Sequence, residues 1–178
     1  MITDQLSIVG LFSEELNREL TINQAAKLLG KSYAFTNNHF HEMADAGILR
    51  KKAVGSALLC SLDYRNEETR GLLLLISVRR KRQFLAKAEQ RRRQLLTEYA
   101  DGLTQPGVRL AYLSGSTLTV VVDAAEPGAK RDLPPSKGID VAVMELSAFE
   151  RAAKRLDLSK TIILRNHEAF WNIMASLA

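Results

Sequence analysis

The apolar residues between positions 21 and 62 are spaced first as in helices and then as in strands. Alanine and leucine at helical spacing predict a short helix over residues 22–29, with Thr21 as its N-cap and Gly30 just past its end. Residues 48–62 carry apolar runs on either side of a Gly-Ser turn, which predicts a two-stranded hairpin. The segment is therefore expected to fold as helix, turn, helix and hairpin.

The second helix of this segment has one buried stripe and one polar surface. Thr36, Phe40 and Met43 recur at spacings of four and three, which places them on one side. Ser32 can cap the helix, and Gly47 ends it. Because Asn pairs well with adenine, and Tyr or His reaches a phosphate or a base edge, the other surface is a candidate for contacting DNA. With the cap, these candidates are Ser32, Tyr33, Phe35, Asn37, Asn38 and His41.

This order of elements resembles the winged helix-turn-helix transcription regulators of the broad MarR/ArsR type. The resemblance rests on INQAAKLLGKS, HFHEMADAGIL and RKKAVGSALLCSLD, and it covers about residues 3–64. It implies a recognition helix at residues 32–46 and a wing that contacts phosphates. The wing candidates are Arg50, Lys51, Lys52 and Ser56. Winged helices also serve as protein-interaction modules, so an adaptor is an alternative.

Residues 66–100 carry the whole net positive charge of the chain. They hold nine basic and four acidic residues, whereas the segments before and after are balanced, with seven and nine of each sign. The segment has no proline and one glycine, Gly71, which predicts one long helix, or two with a break near Gly71. Residues 72–76 are apolar on nearly every side, so we expect them to be buried against the N-terminal segment or a second copy.

The remainder of this basic segment has two compatible interpretations. It is a solvated linker helix, or it is a dimerisation helix with a basic flank beside the DNA backbone. Only a sparse apolar stripe remains there, as in a helix surrounded by solvent. In the second interpretation, each contact between a cation and a phosphate would add affinity for DNA, and salt would weaken that affinity. The candidates for such auxiliary contacts are Arg79, Arg80, Lys81 and Arg82.

The spacing of the apolar residues changes again after residue 101. Residues 102–107 are expected to be a hinge, residues 124–138 a flexible loop, and the runs between them predict the order β, β, β, α, β, α. A capping box from Ser147 to Glu150 and a cap at Asn166 are expected to open the two helices. The predicted fold class is therefore α+β, in three parts. These are a winged helix-turn-helix over residues 1–65, a connecting helix over 66–101, and a small α/β domain with a mixed sheet over 108–178.

The last part resembles a minimal nucleotidyltransferase domain over about residues 108–177. LAYLSGS keeps that family's first strand and Gly-Ser, and VAVMELSAFER and TIILRNHEAFW fit its later strand–helix pairs. The family holds magnesium with two aspartates on the second strand and a third carboxylate on a later one. Here threonines replace the two aspartates, so the resemblance implies a degenerate, non-catalytic site without a metal. Its residues are Gly115, Ser116, Thr117, Thr119 and Asp140.

Composition narrows the remaining classes of function. No signal peptide is visible, no apolar run is long enough to span a bilayer, and Cys60 is the only cysteine. We therefore expect a cytoplasmic, homodimeric regulator that binds double-stranded DNA, is not an enzyme and needs no cofactor. Its C-terminal domain would sense an unidentified small-molecule or protein effector, or help assembly. The alternative of a different class is an active nucleotidyltransferase.

Overall fold

A computed structural model describes residues 2–55, 57–124, 133–136 and 138–178 of the chain. The described residues form a mixed α+β fold with seven helices and two sheets. The helices are α1 (Ile2–Phe12), α2 (Ile22–Leu29), α3 (Tyr33–Asp45), α4 (Glu67–Lys87), α5 (Gln90–Gly102), α6 (Leu146–Ala153) and α7 (His167–Leu177). The strands are β1 (Leu20–Thr21), β2 (Leu49–Val54), β3 (Ala57–Leu62), β4 (Val108–Ser114), β5 (Thr117–Val122), β6 (Asp140–Glu145) and β7 (Thr161–Arg165).

The N-terminal half packs three helices on a small antiparallel sheet of order β1-β3-β2. The predicted helices and hairpin of residues 21–62 are confirmed as α2, α3, β2 and β3. Phe12 of α1 packs against Phe40 of α3, with ring centroids 6.0 Å apart. This contact fixes α3 against the first helix and leaves its opposite surface to solvent.

The C-terminal half is a four-stranded mixed sheet with helices on both faces. Its order is β6-β5-β4-β7, with β5 and β6 parallel and the other pairs antiparallel. Alternation along β4 sends Leu110 and Tyr112 to the core shared with α6 and α7, and Ala111 and Leu113 to the core beneath α5. The predicted order β, β, β, α, β, α is confirmed, whereas most of the expected loop at 124–138 lies outside the described residues.

The break expected near Gly71 was wrong. Helix α4 runs through Gly71 and ends at Lys87, and the chain turns at Ala88, whose backbone is extended. A glycine inside a helix costs only about 1 kcal/mol, which burial of the neighbouring Leu72 and Leu73 outweighs. The turn at Ala88 lets α5 lay its apolar residues on the C-terminal sheet. The single connecting helix is therefore two helices that pack in different places.

The first half of α4 packs into the core of the chain. Its Leu72, Leu73 and Ile76 belong to one continuous core that also contains Phe12 of α1 and Trp171 of α7. The expectation of burial on nearly every side was only partly right, because Leu75 is 46% exposed. The hinge expected at residues 102–107 does not separate the halves, since Leu103 is fully buried under α5.

Helices α6 and α7 begin in different ways. The capping box expected at Ser147 was wrong, because β6 runs directly into α6 and Ser147 is already its second residue. The cap at Asn166 is confirmed: its Oδ1 accepts a hydrogen bond from the N–H of Ala169 at 3.3 Å. Among the described residues, no helix is both long enough and apolar enough to cross a membrane.

Polar side chains of α4 join the two halves at a partly buried junction. The guanidinium of Arg80 donates to Oγ of Ser13, at 3.1 Å, and to the carbonyl of Leu158, at 3.3 Å. Oγ of Ser77 donates to the carbonyl of Leu74, so Nδ1 of His167 donates to Ser77 across 2.8 Å. One side chain of α4 thus links the end of α1 to the loop before β7, and another links α4 to α7.

Replacing Arg80 with Ala should destabilise the chain far more than replacing Arg79 with Ala. The first change removes the donor to the buried Oγ of Ser13, leaves the carbonyl of Leu158 with only the N–H of Thr161 at 3.4 Å, and removes a partly buried stem, which together cost about 2 kcal/mol. Arg79 is exposed on the same helix. Urea unfolding of both variants measures the difference, and equal losses would show that the junction contributes nothing.

Stability should also fall between pH 6.5 and pH 4 because of His167. Burial, and then the charge of Lys81, lower the pKa of His167 from 6.5 to about 4. Between these two pH values the unfolded chain binds a proton at His167 that the folded chain does not. The contribution of the neutral imidazole to the free energy of unfolding is therefore complete above pH 6.5 and is lost as the pH falls toward 4. We expect a loss on the order of 1 to 3 kcal/mol, limited by partial exposure of the imidazole.

Urea unfolding of wild type and His167→Gln across this pH range measures the effect. Glutamine can still donate to Ser77 but does not titrate, so the variant should show a flatter dependence on pH. His41→Gln, which removes an exposed imidazole far from the junction, is the matched control. Parallel curves for wild type and His167→Gln would contradict the assignment.

Candidate nucleic-acid interface

Two capped helices build the candidate interface. A capping box opens α2: Oγ1 of Thr21 accepts from the N–H of Gln24 at 3.2 Å, and Oε1 of Gln24 accepts from the N–H of Thr21 at 2.8 Å. Gly30 closes α2 in the left-handed conformation, with φ of 64°. Oγ of Ser32 then accepts from the N–H of Phe35 at 3.2 Å and opens α3. These local bonds set the direction in which α3 leaves the turn.

The buried stripe of α3 places its polar residues outward. Thr36, Phe40 and Met43 are at most 1% exposed. Tyr33 is 53% exposed, and residues spaced three or four apart continue the same surface along the helix. This outer surface consists of Tyr33, Asn37, Asn38 and His41, of which Asn37 is half-buried and the other three are exposed. Four of the six predicted α3 residues are thereby brought together.

Phe35 lies on the flank of α3 and not on its outer surface. Its ring contacts the imidazole of His39 edge-on at 4.4 Å between centroids, and the ammonium of Lys31 lies 5.2 Å from the ring centre. Ser32 is occupied as the helix cap. Phe35 and Ser32 therefore support the interface from its edge, while the outer surface supplies the groups that a ligand would meet.

The register of the hairpin places its three basic residues on different faces. Lys51 pairs with the buried Cys60, whereas Arg50 pairs with Ser61 and Lys52 with Leu59. Because residues opposite each other in an antiparallel pair share a face, only Lys51 lies on the side of the helices. Its ammonium donates to Nδ1 of His41 at 2.8 Å.

The other two basic residues of β2 lie on the outer face of the hairpin. The guanidinium of Arg50 donates to the carbonyl of Leu62 at 3.3 Å, and the ammonium of Lys52 lies 4.0 Å from Glu19. Ser56, the remaining wing candidate, lies outside the described residues. All three cations were equal candidates from the sequence, but the structure joins only Lys51 to the outer surface of α3.

Of the four basic candidates on α4, two are engaged within the chain and two are exposed. Arg80 is engaged at the junction, and Nζ of Lys81 donates to the carbonyl of Leu164 at 2.5 Å. Arg79 and Arg82 are exposed. Because Arg80 and Lys81 already donate to groups of the chain, they are less free than Arg79 and Arg82 to reach DNA, and the backbone contacts stay a prediction for all four.

The residues predicted to form a degenerate motif in the C-terminal half come together only in part. Gly115 turns the chain with φ of 62°, and the hydroxyl of Thr117 donates to Oδ2 of Asp140 at 2.6 Å. Thr119 is 7% exposed and pairs with Tyr112 on β4, away from that carboxylate. Among the described residues, no group of three or more His, Cys, Asp or Glu side chains could hold a metal ion.

A pocket of about 410 Å³ lies at the beginning of β6, next to this motif. Ser116 and Asp140 line it together with Glu89, Arg91 and Arg92 from the start of α5. No pattern in the sequence predicts that these two groups of residues meet, because strand order and the position of α5 decide which distant residues lie together. Carboxylates and guanidinium groups both line the pocket, so the charge of its lining does not indicate one class of ligand.

Comparison with known proteins assigns no family to the chain. No protein-family model matches it, and searches of curated proteins and of solved structures give no match.

Proposed function

We propose that the chain is a sequence-specific, double-stranded-DNA-binding transcription regulator of the winged helix-turn-helix type, acting as a homodimer. The observation that carries the proposal is the outer surface of α3, where Asn37, Asn38 and His41 lie beside Lys51 of the hairpin. Asn side chains can read adenine in the major groove, and a lysine beside them can reach phosphate. The recognition helix would be α3, and the wing β2 and β3.

The charge distribution supports an approach through the beginning of α3. Residues 20–62 hold five basic residues and two acidic ones. The acidic ones, Glu42 and Asp45, lie in the second half of α3, and the cation of Lys31 lies just before its first turn. Recognition helices commonly contact bases with their N-terminal residues, and this arrangement keeps the carboxylates away from the phosphates.

We propose further that the C-terminal half is a nucleotidyltransferase-like domain without catalysis, used for assembly or for sensing an effector. Threonines occupy the places of the two aspartates, and their hydroxyls are poor ligands for magnesium. The one carboxylate of the motif, on Asp140, already accepts a hydrogen bond from Thr117. The covered junction along α4 supports a role in assembly, because it ties this half to the N-terminal one.

Selection from a random library of DNA duplexes, followed by titration at several salt concentrations, tests the proposal. We expect one enriched sequence and affinity that falls steeply with salt. Replacing Asn37 and Asn38 together by Ala should weaken binding to that sequence about 10- to 100-fold and relax the preference for adenine.

Lys51→Ala and Lys52→Ala form a matched pair on opposite faces of the hairpin. The first should weaken binding to all duplexes and lower the slope of affinity against salt by about 1, whereas the second should change little. Circular dichroism checks that both variants fold. If wild type bound no duplex at low salt, or enriched no sequence, the proposed function would be overturned.

A further inference from the structure

One line of residues along α4 is left uncovered by the rest of the chain. Glu68, Gly71, Leu75, Val78 and Arg82 follow one another at spacings of three, four, three and four, and we call them the α4 seam. All are exposed except Val78, which is half-buried, and Leu75 at the centre is 46% exposed. This spacing is that of the residues by which two helices pack side by side.

Gly71 is not explained by the fold of its own chain. It lies inside a continuous helix, where glycine is less favourable than alanine. Nothing lies within 4 Å of the position that a Cβ on Gly71 would occupy. Neither backbone conformation nor packing within the chain therefore calls for glycine here, whereas the close approach of a second backbone would.

The charges of the α4 seam are complementary to themselves. Glu68 lies seven residues before Leu75, and Arg82 lies seven residues after it. If two copies of α4 pair antiparallel about a two-fold axis at Leu75, each Glu68 faces the Arg82 of the other copy. A parallel pair would instead oppose like charges. Neither Glu68 nor Arg82 forms an ion pair within the described part of the chain, so both charges are available to pair with a second copy.

A groove beside the α4 seam offers room for the second copy. It has a volume of about 340 Å³ and lies between α4 and α7, where Gly71, Leu74, Glu168 and Trp171 line it. Arg79 lies four residues after Leu75 and Gly71 four before it, so the Arg79 of the second copy would arrive at this groove. Glu67 and Glu168 supply carboxylates there, and Arg70, the cation of the lining, lies 4.0 Å from Glu67.

We propose that α4 pairs antiparallel with the α4 of a second copy of this chain, through the α4 seam. The inference deepens the homodimer of the proposed function by naming its surface. The contact is about one helix wide with a flank from α7, so it is smaller than the interfaces of obligate dimers, and we expect a dissociation constant in the micromolar range.

Sedimentation velocity of the whole chain without DNA, over a range of concentrations, tests the pairing. Wild type should be a reversible dimer, and Leu75→Glu should raise the dimer dissociation constant at least about 30-fold, because two buried leucines become two opposed carboxylates. Leu28→Glu is the matched control, since Leu28 is 54% exposed on α2 and lies outside the α4 seam. A wild-type monomer throughout, or a dimer that ignores Leu75→Glu, overturns the proposal.

A charge exchange tests the antiparallel register. Glu68→Arg and Arg82→Glu should each weaken the dimer, and the variant carrying both should recover most of the wild-type affinity, since each pair is restored with its signs reversed. Urea unfolding confirms that each variant is folded. Recovery supports the pairing, and weakening without recovery overturns it. Because no DNA is present, a failure here leaves the DNA-binding proposal standing, and a failure to bind duplexes leaves the dimer result unchanged.

Discussion

The packing of one face of α4 holds the two halves of the chain together. Leu72, Leu73 and Ile76 on this face lie in a core shared with α1 on one side and with α7 and β7 on the other. Arg80 lies at the edge of this core, and acceptors from both halves satisfy its partly buried cation. Two small sheets that would each be marginal alone are thereby stabilised by one continuous core.

Basic residues of this chain therefore serve two distinct purposes. Cations that face the core, such as Arg80 and Lys81, donate hydrogen bonds to backbone carbonyls and hold the halves together. Cations on the opposite side of α4, such as Arg79 and Arg82, are exposed to solvent. Position on the helix or strand decides between these roles, because adjacent residues point to different sides of the same element.

Much of the local structure was predictable because short-range chemistry decides it. Thr21, Ser32 and Asn166 are caps in the structure as expected, since each oxygen lies within reach of an N–H three residues ahead. The break in the basic segment was not predictable from Gly71. The chain turns at Ala88 because α5 must reach the far face of the C-terminal sheet, and that is a requirement of distant packing.

The candidate interface likewise combines features set by short-range chemistry with features set by distant packing. The spacing of apolar residues along α3 is enough to predict its buried stripe and the polar surface opposite it, because the helical repeat couples the two. It is the fold that joins Lys51 to that surface while Arg50 and Lys52 lie on the other face of the hairpin, and that engages Arg80 at the junction while Arg79 and Arg82 are exposed. Helical periodicity acts over a few residues, whereas strand register and the burial of α4 depend on partners far apart along the chain.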